Sequence, residues 1–413
     1  MKNLLGTNMI NAVLLMSIAF LLPLSKKVMP FLIIMLVLSW LMSGGLKERL
    51  RKVVGQKYVW LFVSYYLMHL LGMVYTSNTQ FGWFDLEIKL SFLIMPLVIA
   101  SLPKFDQRSV NSVLLSLVAG CYTASLLNLC LGYSAYSDSG DINDILYGEL
   151  AHFHHPTYAS MYLCLALSIA VYFLVHHNHK LGVAVRVVLL TSLPLFIIMI
   201  VMLMAKTGVL VLGVIVVLTF LYLLFTRRIV QTVVLTIIIG IGAGTTMQLM
   251  PDAFKRFKAT WVVATQSEKE RDITTIESTA GRIMVWEQAT ELLKEHWIFG
   301  VGTGDIKDEL VARYRANGLT GIQEKKLNAH NQFLQSFCAL GILGFLTLAL
   351  GLLLPAISAI RTHNIIQFLF ILIISINALT ESILEVQAGV VFYAFFNSFF
   401  MFLNPISNRK NIP

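Results

Sequence analysis

The sequence predicts an all-α membrane protein of about twelve transmembrane helices with one substantial, partly helical loop over residues 251–329. Three observations carry this. Of the 413 residues, 57% are hydrophobic and only 13% charged, too little polar surface for a soluble domain of this size. Apolar runs close to the roughly 20 residues that cross a bilayer recur along the chain. The runs are apolar on every side and lack the alternation of barrel strands, which leaves the helix as the structure that satisfies its own backbone in lipid.

Taken in order, spans are expected at 8–24, 28–45, 58–75, 86–102, 110–133, 157–176, 184–204, 207–226 and 229–250. Beyond the loop they are expected at 332–356, 364–380 and 386–404. The first begins like a signal peptide, with Lys2 ahead of an apolar stretch. No small-residue cleavage site follows, and Lys26–Lys27 lead straight into the second span, so an uncleaved helix is expected. The boundary near Ala205–Gly208 admits more than one division. The chain thus divides into a membrane bundle over 1–250, a loop domain over 251–329 and a second membrane part over 330–413.

The net charge of +9 reports topology rather than nucleic acid. With a cytoplasmic N-terminus, Lys47, Arg49, Arg51, Lys52, Lys57, Lys104, Arg108, Lys180, Arg186, Arg227, Arg228 and Arg361 fall on the cytoplasmic side. Only Glu48 and Asp106 oppose them there, so the positive-inside rule puts both termini in the cytoplasm and the long loop outside. The loop itself holds twelve basic and twelve acidic residues, unlike a polybasic lipid clamp. Charge is rare within the spans and no internal repeat is evident, both of which argue against a carrier. Cys121, Cys130, Cys164 and Cys338 have no metal-binding spacing and read as buried, inert thiols.

Within the loop, Ile283, Trp286, Ala289, Leu292, Leu293 and Trp297 follow helical spacing, with Ser278 or Thr279 available as the cap. The helix is expected to stop at Gly300-Val301-Gly302-Thr303-Gly304, and Ile306–Arg315 to form a second, charged helix. This glycine run follows a helix rather than a strand, so it is a poor nucleotide loop.

Three residues stand out chemically. His330, where the loop meets the tenth span, can take a proton from a hydroxyl near neutral pH; a helix-capping interfacial histidine would look the same by position. Arg282 lies in a first helical turn, where free N–H groups beside a guanidinium suit a phosphate; pairing with Glu277 or Glu287 is the plainer alternative. Lys206 occupies a tight turn at the membrane face beside Thr207 and Gly208, where a snorkelling lysine is also expected. His152, His154 and His155 lie on the outer side and His176, His177 and His179 on the inner, without the carboxylates or i, i+4 spacing of a zinc site. No metal is expected, and no Asp-x-Asp pair for a divalent ion occurs. Glu381 and Glu385 face outward, as sugar-binding groups or as ordinary solvated ends.

Together these pieces resemble the O-antigen ligase and polymerase family of bacterial envelope proteins. The likeness lies in the architecture, in Gly281-Arg282-Ile283-Met284-Val285-Trp286 with the glycines at 300–304, and in Ala329-His330-Asn331-Gln332-Phe333-Leu334 running into Gly341-Ile342-Leu343-Gly344. Lys206-Thr207-Gly208 stands where the family usually has arginine before a small residue and glycine. The resemblance implies a polytopic, metal-independent glycosyltransferase of the inner membrane without cofactor. It implies a glycan donor on undecaprenyl pyrophosphate and, for a ligase, the lipid A core as acceptor. It also implies His330 as general base, Arg282 and Lys206 on the pyrophosphate, and His155, Tyr158 and Asn331 as acceptor or sugar contacts. A polymerase or a protein-directed transferase of the same family would share this logic; a lipid-linked glycan flippase would not.

Overall fold

The structure, a computed structural model, describes residues 2–177, 181–229, 232–233, 236 and 278–403. Those residues form helices α1 (Lys2–Leu21), α2 (Met29–Met42), α3 (Leu46–Val54), α4 (Lys57–Gly72), α5 (Thr79–Lys89), α6 (Ser91–Ser101), α7 (Gln107–Ser139), α8 (Tyr147–Leu150) and α9 (Pro156–His176). They continue with α10 (Val183–Met202), α11 (Lys206–Phe225), α12 (Ser278–His296), α13 (Ile306–Ala316), α14 (Thr320–Glu324), α15 (Gln332–Arg361), α16 (Ile365–Thr380) and α17 (Gln387–Phe402). There is no strand among the described residues.

Six of these helices are long and apolar enough to cross a membrane: α4 with the short turn after it, α7, α9, α10, α11 and α15. The bent pair α2 and α3 adds a seventh if taken as one span. The apolar parts of α1, α16 and α17 are shorter. The span expected at 229–250 falls almost wholly outside the described residues.

Two expected spans differ in shape. The run over 28–45 stops at Met42, and Gly44 and Gly45, both at positive φ (72° and 59°), turn the chain by 111° into the charged α3. Glycine adopts that conformation at little steric cost. The run over 86–102 is two helices meeting at Leu90, and the first of them starts earlier, at Thr79. Asp85 and Lys89 lie along that first helix and are buried against protein rather than turned to lipid.

The centre of the bundle is α9, packed against α7, α10, α11 and α16, while α1 lies on α7 and α4 on α6 and α15. Phe392, Phe395, Phe396, Phe399 and Phe400 of α17 stack among themselves and with Phe370 of α16, forming an aromatic wall. Cys121, Cys164 and Cys338 are buried, whereas Cys130 is exposed on α7, contrary to the buried reading.

Helices α12, α13 and α14 pack together as a cap on α15. Val285, Ala289, Leu292, Leu310, Tyr314 and Ile322 make a core that closes on Cys338, Ala339 and Leu340 of α15. The glycine run explains how closely they meet. Helix α15 is interrupted at Gly341 (φ 64°, ψ −162°), which releases backbone groups from the helical ladder. Val301 N donates to the Cys338 carbonyl, Gly302 N to Ala339 and Ile342 N to Trp297, each at 2.9 Å. A Cβ at Gly300 would lie 2.4 Å from the Ala339 carbonyl, and one at Gly341 would lie 2.1 Å from the Ile298 oxygen. The glycines therefore dock the loop on a broken helix. Asp305 adds a second anchor, accepting from the backbone of Ser77 (2.7 Å) and Asn78 (2.6 Å) at the start of α5.

Candidate functional site

His330 sits in the last loop residues before α15 with φ 44°, the left-handed region that is uncommon for a residue with a side chain. Its neighbours hold it there. Asn328 Oδ1 accepts from His330 N (3.0 Å), and Asn331 Oδ1 accepts from Phe333 N and Leu334 N (2.9 and 3.1 Å), capping the helix. Trp286 Nε1 of the loop motif donates to the Ala329 carbonyl (2.9 Å), and the Ala329 N–H donates to Gln335 Oε1 (3.1 Å). The imidazole is thereby fixed at its backbone before any partner touches the ring.

That partner is Glu381, at the end of α16. His330 Nδ1 donates to Glu381 Oε1 at 2.7 Å, and Arg282 Nη2 donates to Oε2 at 3.1 Å. One carboxylate thus bridges the base candidate and the guanidinium. The Glu381 side chain is only 13% exposed, which corrects the reading of Glu381 as a solvated end, and Arg282 pairs with it rather than with Glu287. Burial pushes the Glu381 carboxyl up, but hydrogen bonding and charge from His330, with the Arg282 guanidinium, outweigh it and hold the group below its ordinary value. An ionised Glu381 requires Nδ1 to carry the proton, so the unprotonated nitrogen of a neutral His330 is Nε2. Among the described residues Nε2 makes no hydrogen bond.

Lys206 begins α11, and its Nζ donates to Thr279 Oγ1 (2.6 Å) in the first turn of α12, the turn that leads to Arg282. Next to it, Thr207 Oγ1 and Thr380 Oγ1 lie 2.6 Å apart, tying the turn to the residue before Glu381. Gly208 passes against Ser160 of α9, where an added Cβ would lie 2.5 Å from the Ser160 side chain. Three segments far apart in sequence thus meet at one point.

His155 caps α9, its Nδ1 accepting from Thr157 N at 3.4 Å, which puts the ring proton on Nε2. Burial lowers its pKa, Glu381 opposes this, and the charges of Arg282 and His330 lower it further. The Tyr158 ring stands edge-on to His155, with centroids 6.5 Å apart, and Tyr158 interacts electrostatically with Glu381 and Glu385. His154 belongs elsewhere: its Nε2 donates to the Leu22 carbonyl (2.9 Å) at the end of α1. Of the six expected site residues, His330 and Arg282 bond to Glu381, and His155 and Tyr158 feel its charge without a hydrogen bond to it. Lys206 adjoins through Thr207 and α12, and Asn331 uses its side-chain oxygen to cap α15. No group of three or more His, Cys, Asp or Glu side chains suited to a metal occurs among the described residues.

Glu381 was visible in sequence only as an outer-side acid. The signal that could have paired it with His330 is the short Thr380-Glu381-Ser382 link between two apolar runs on the face to which topology assigned His330. No curated protein matches the chain. Residues 190–349 match the family model described as O-antigen ligase, and that stretch contains Lys206, Arg282, the glycine run and His330. Over that stretch the chain is similar to the O-antigen ligase family.

Proposed function

We propose that the protein is an O-antigen ligase of the bacterial inner membrane, transferring a glycan from undecaprenyl pyrophosphate to the lipid A core at the periplasmic face. One observation carries the reading: a histidine whose Nδ1 is held by a half-buried carboxylate, with the guanidinium of Arg282 on the same carboxylate. In this reading Nε2 of His330 removes the proton of an acceptor hydroxyl as its oxygen attacks the anomeric carbon. The bond from that carbon to the pyrophosphate oxygen breaks, and its electron pair leaves with the pyrophosphate. Arg282 and Lys206 stabilise that charge at the N-terminal turn of α12, on the positive end of the helix dipole. Glu381 keeps the imidazole in the required tautomer and stabilises it once protonated, much as a buried carboxylate does for the histidine of a hydrolase triad. Direct attack by a hydroxyl activated in this way inverts the anomeric configuration. His155 and Tyr158 contact the sugar or the acceptor.

The test is the glycan pattern of a deletion strain, resolved on gels for lipopolysaccharide and for lipid-linked pools, then complemented with His330→Ala. Long chains accumulating on the lipid carrier over a bare lipid A core are expected, with no rescue by the variant. Cores bearing a single repeat would replace the reading with a polymerase, and normal lipopolysaccharide with under-glycosylated proteins with a protein-directed transferase. Donor trapped on the cytoplasmic face would replace it with a flippase.

A further inference from the structure

Beneath the site lies a chain of charged groups that the proposed chemistry does not use. Lys89 is fully buried, its Nζ donating to Asp85 of the same helix and, at 3.1 Å, to Glu385 Oε2. Beyond Asp85 stands the buried His69 of α4, with Nδ1 at 3.2 Å from Asp85 Oδ2. On the other side, Glu385 Oε1 accepts from Gln332 Nε2 at 3.1 Å. Gln332 also accepts from the Leu384 N–H through Oε1 (2.7 Å) and donates to Ser336 Oγ (3.2 Å). Burying such charges in a membrane bundle is costly even when they are paired. Burial alone would be served better by apolar residues.

Position suggests what the charges hold. Gln332 is in the first turn of the helix that follows His330, and Glu385 ends the short turn Ile383–Glu385 that follows Glu381. The Gln332–Glu385 pair therefore spans the two segments whose side chains meet as His330 and Glu381. Lys89 fixes that pair from a third helix. We infer that Lys89 is a positioning residue for the His330–Glu381 pair, acting through Glu385 and Gln332. This rests on the reading of His330 as the base.

The experiment uses the full-length protein in nanodiscs with a lipid-linked glycan donor. Glu385→Gln keeps the side chain's shape and leaves Lys89 balanced by Asp85. Lys89→Met/Glu385→Gln removes one charge of each sign. For each, kcat and donor KM are measured per folded molecule, alongside hydrogen exchange of the backbone over 380–387. Displacements of about an ångström at a reacting centre cost on the order of 100-fold, so kcat is expected to fall at least about tenfold while donor KM stays within about twofold. Faster exchange confined to 380–387 is expected with it. Unchanged kcat per folded molecule in Glu385→Gln overturns the inference, as does a fall in donor KM and kcat that follows only general loss of exchange protection. Glu381→Gln runs in parallel: full activity there overturns the reading of the base itself, whereas loss there with wild-type kcat in the Lys89 and Glu385 variants overturns only the role of Lys89.

Discussion

Glu381 hydrogen-bonds His330 through one carboxylate oxygen and Arg282 through the other, so the base candidate and the phosphate-binding candidate share a single anion. Glu381→Gln keeps the geometry but places an amide where a charge must stand. It can also present its NH2 to Nδ1 and favour the wrong tautomer. By comparison with the equivalent change in a hydrolase triad, the transfer rate is expected to fall by about 100- to 10,000-fold with the protein folded. Single-turnover assays with preloaded donor would read this directly, and an unchanged rate would remove Glu381 from the mechanism.

Arg282→Lys preserves the charge and loses the planar fork. The ammonium can reach either Glu381 or a phosphate oxygen but cannot hold both in one plane. Transfer efficiency is expected to drop about 10- to 100-fold. Titration of donor concentration checks it; a wild-type kcat/KM would return Arg282 to a structural role.

Stability should respond to pH through His154. Burial lowers the pKa of this histidine to about 4 while its Nε2 donates to the Leu22 carbonyl. The unfolded chain binds the proton near pH 6.5, so it takes up more protons than the folded chain between the two values. The contribution is therefore fully present above pH 6.5 and lost as pH falls toward 4, to the extent of about 3 kcal/mol. His154→Gln, which keeps an N–H donor, should flatten the fall in melting temperature across that window. An identical pH profile for the variant would contradict the assignment.

The glycine docking strip predicts a sharp contrast between positions. Gly341→Ala puts a β-carbon 2.1 Å from the Ile298 oxygen at a φ that side chains avoid, and should cost about 2 kcal/mol or more. Gly213→Ala, with open space around it inside α11, should be neutral or stabilise by up to about 1 kcal/mol. Thermal unfolding of the two variants in the same detergent compares them. Equal melting temperatures would mean that the loop does not depend on the break in α15.

Much of this architecture was legible because hydropathy and helical spacing are local signals. Among the described residues the apolar runs become helices near the expected positions, though only six or seven of them are long enough to count as spans, and the loop helices appear at Ser278–His296 and Ile306–Ala316. His330 and Arg282 could be singled out because each sits at a helix start beside unusual neighbours. What stayed hidden depends on meetings between distant segments. The sequence puts Lys89 one turn from Asp85 but gives no sign of Glu385, which comes from the far end of the chain. Glu381 reads as a helix end until His330 is placed against it. The bend at Gly44–Gly45 was hidden for another reason, since two glycines at the end of an apolar run mark a stop without giving its direction.

The hydrogen bonds that Val301, Gly302 and Ile342 make across the seam between the loop and α15 join main-chain atoms on both sides. Amide-to-carbonyl recognition takes no notice of which side chains flank it, whereas Cys338 and Ala339 are constrained separately by their packing in the core of the cap. What the seam cannot accept is added bulk at Gly300 and Gly341. Its specificity is written in absent atoms. Within one frame, then, the cap is free to change its far face while the edge by which it is fastened beside His330 stays the same.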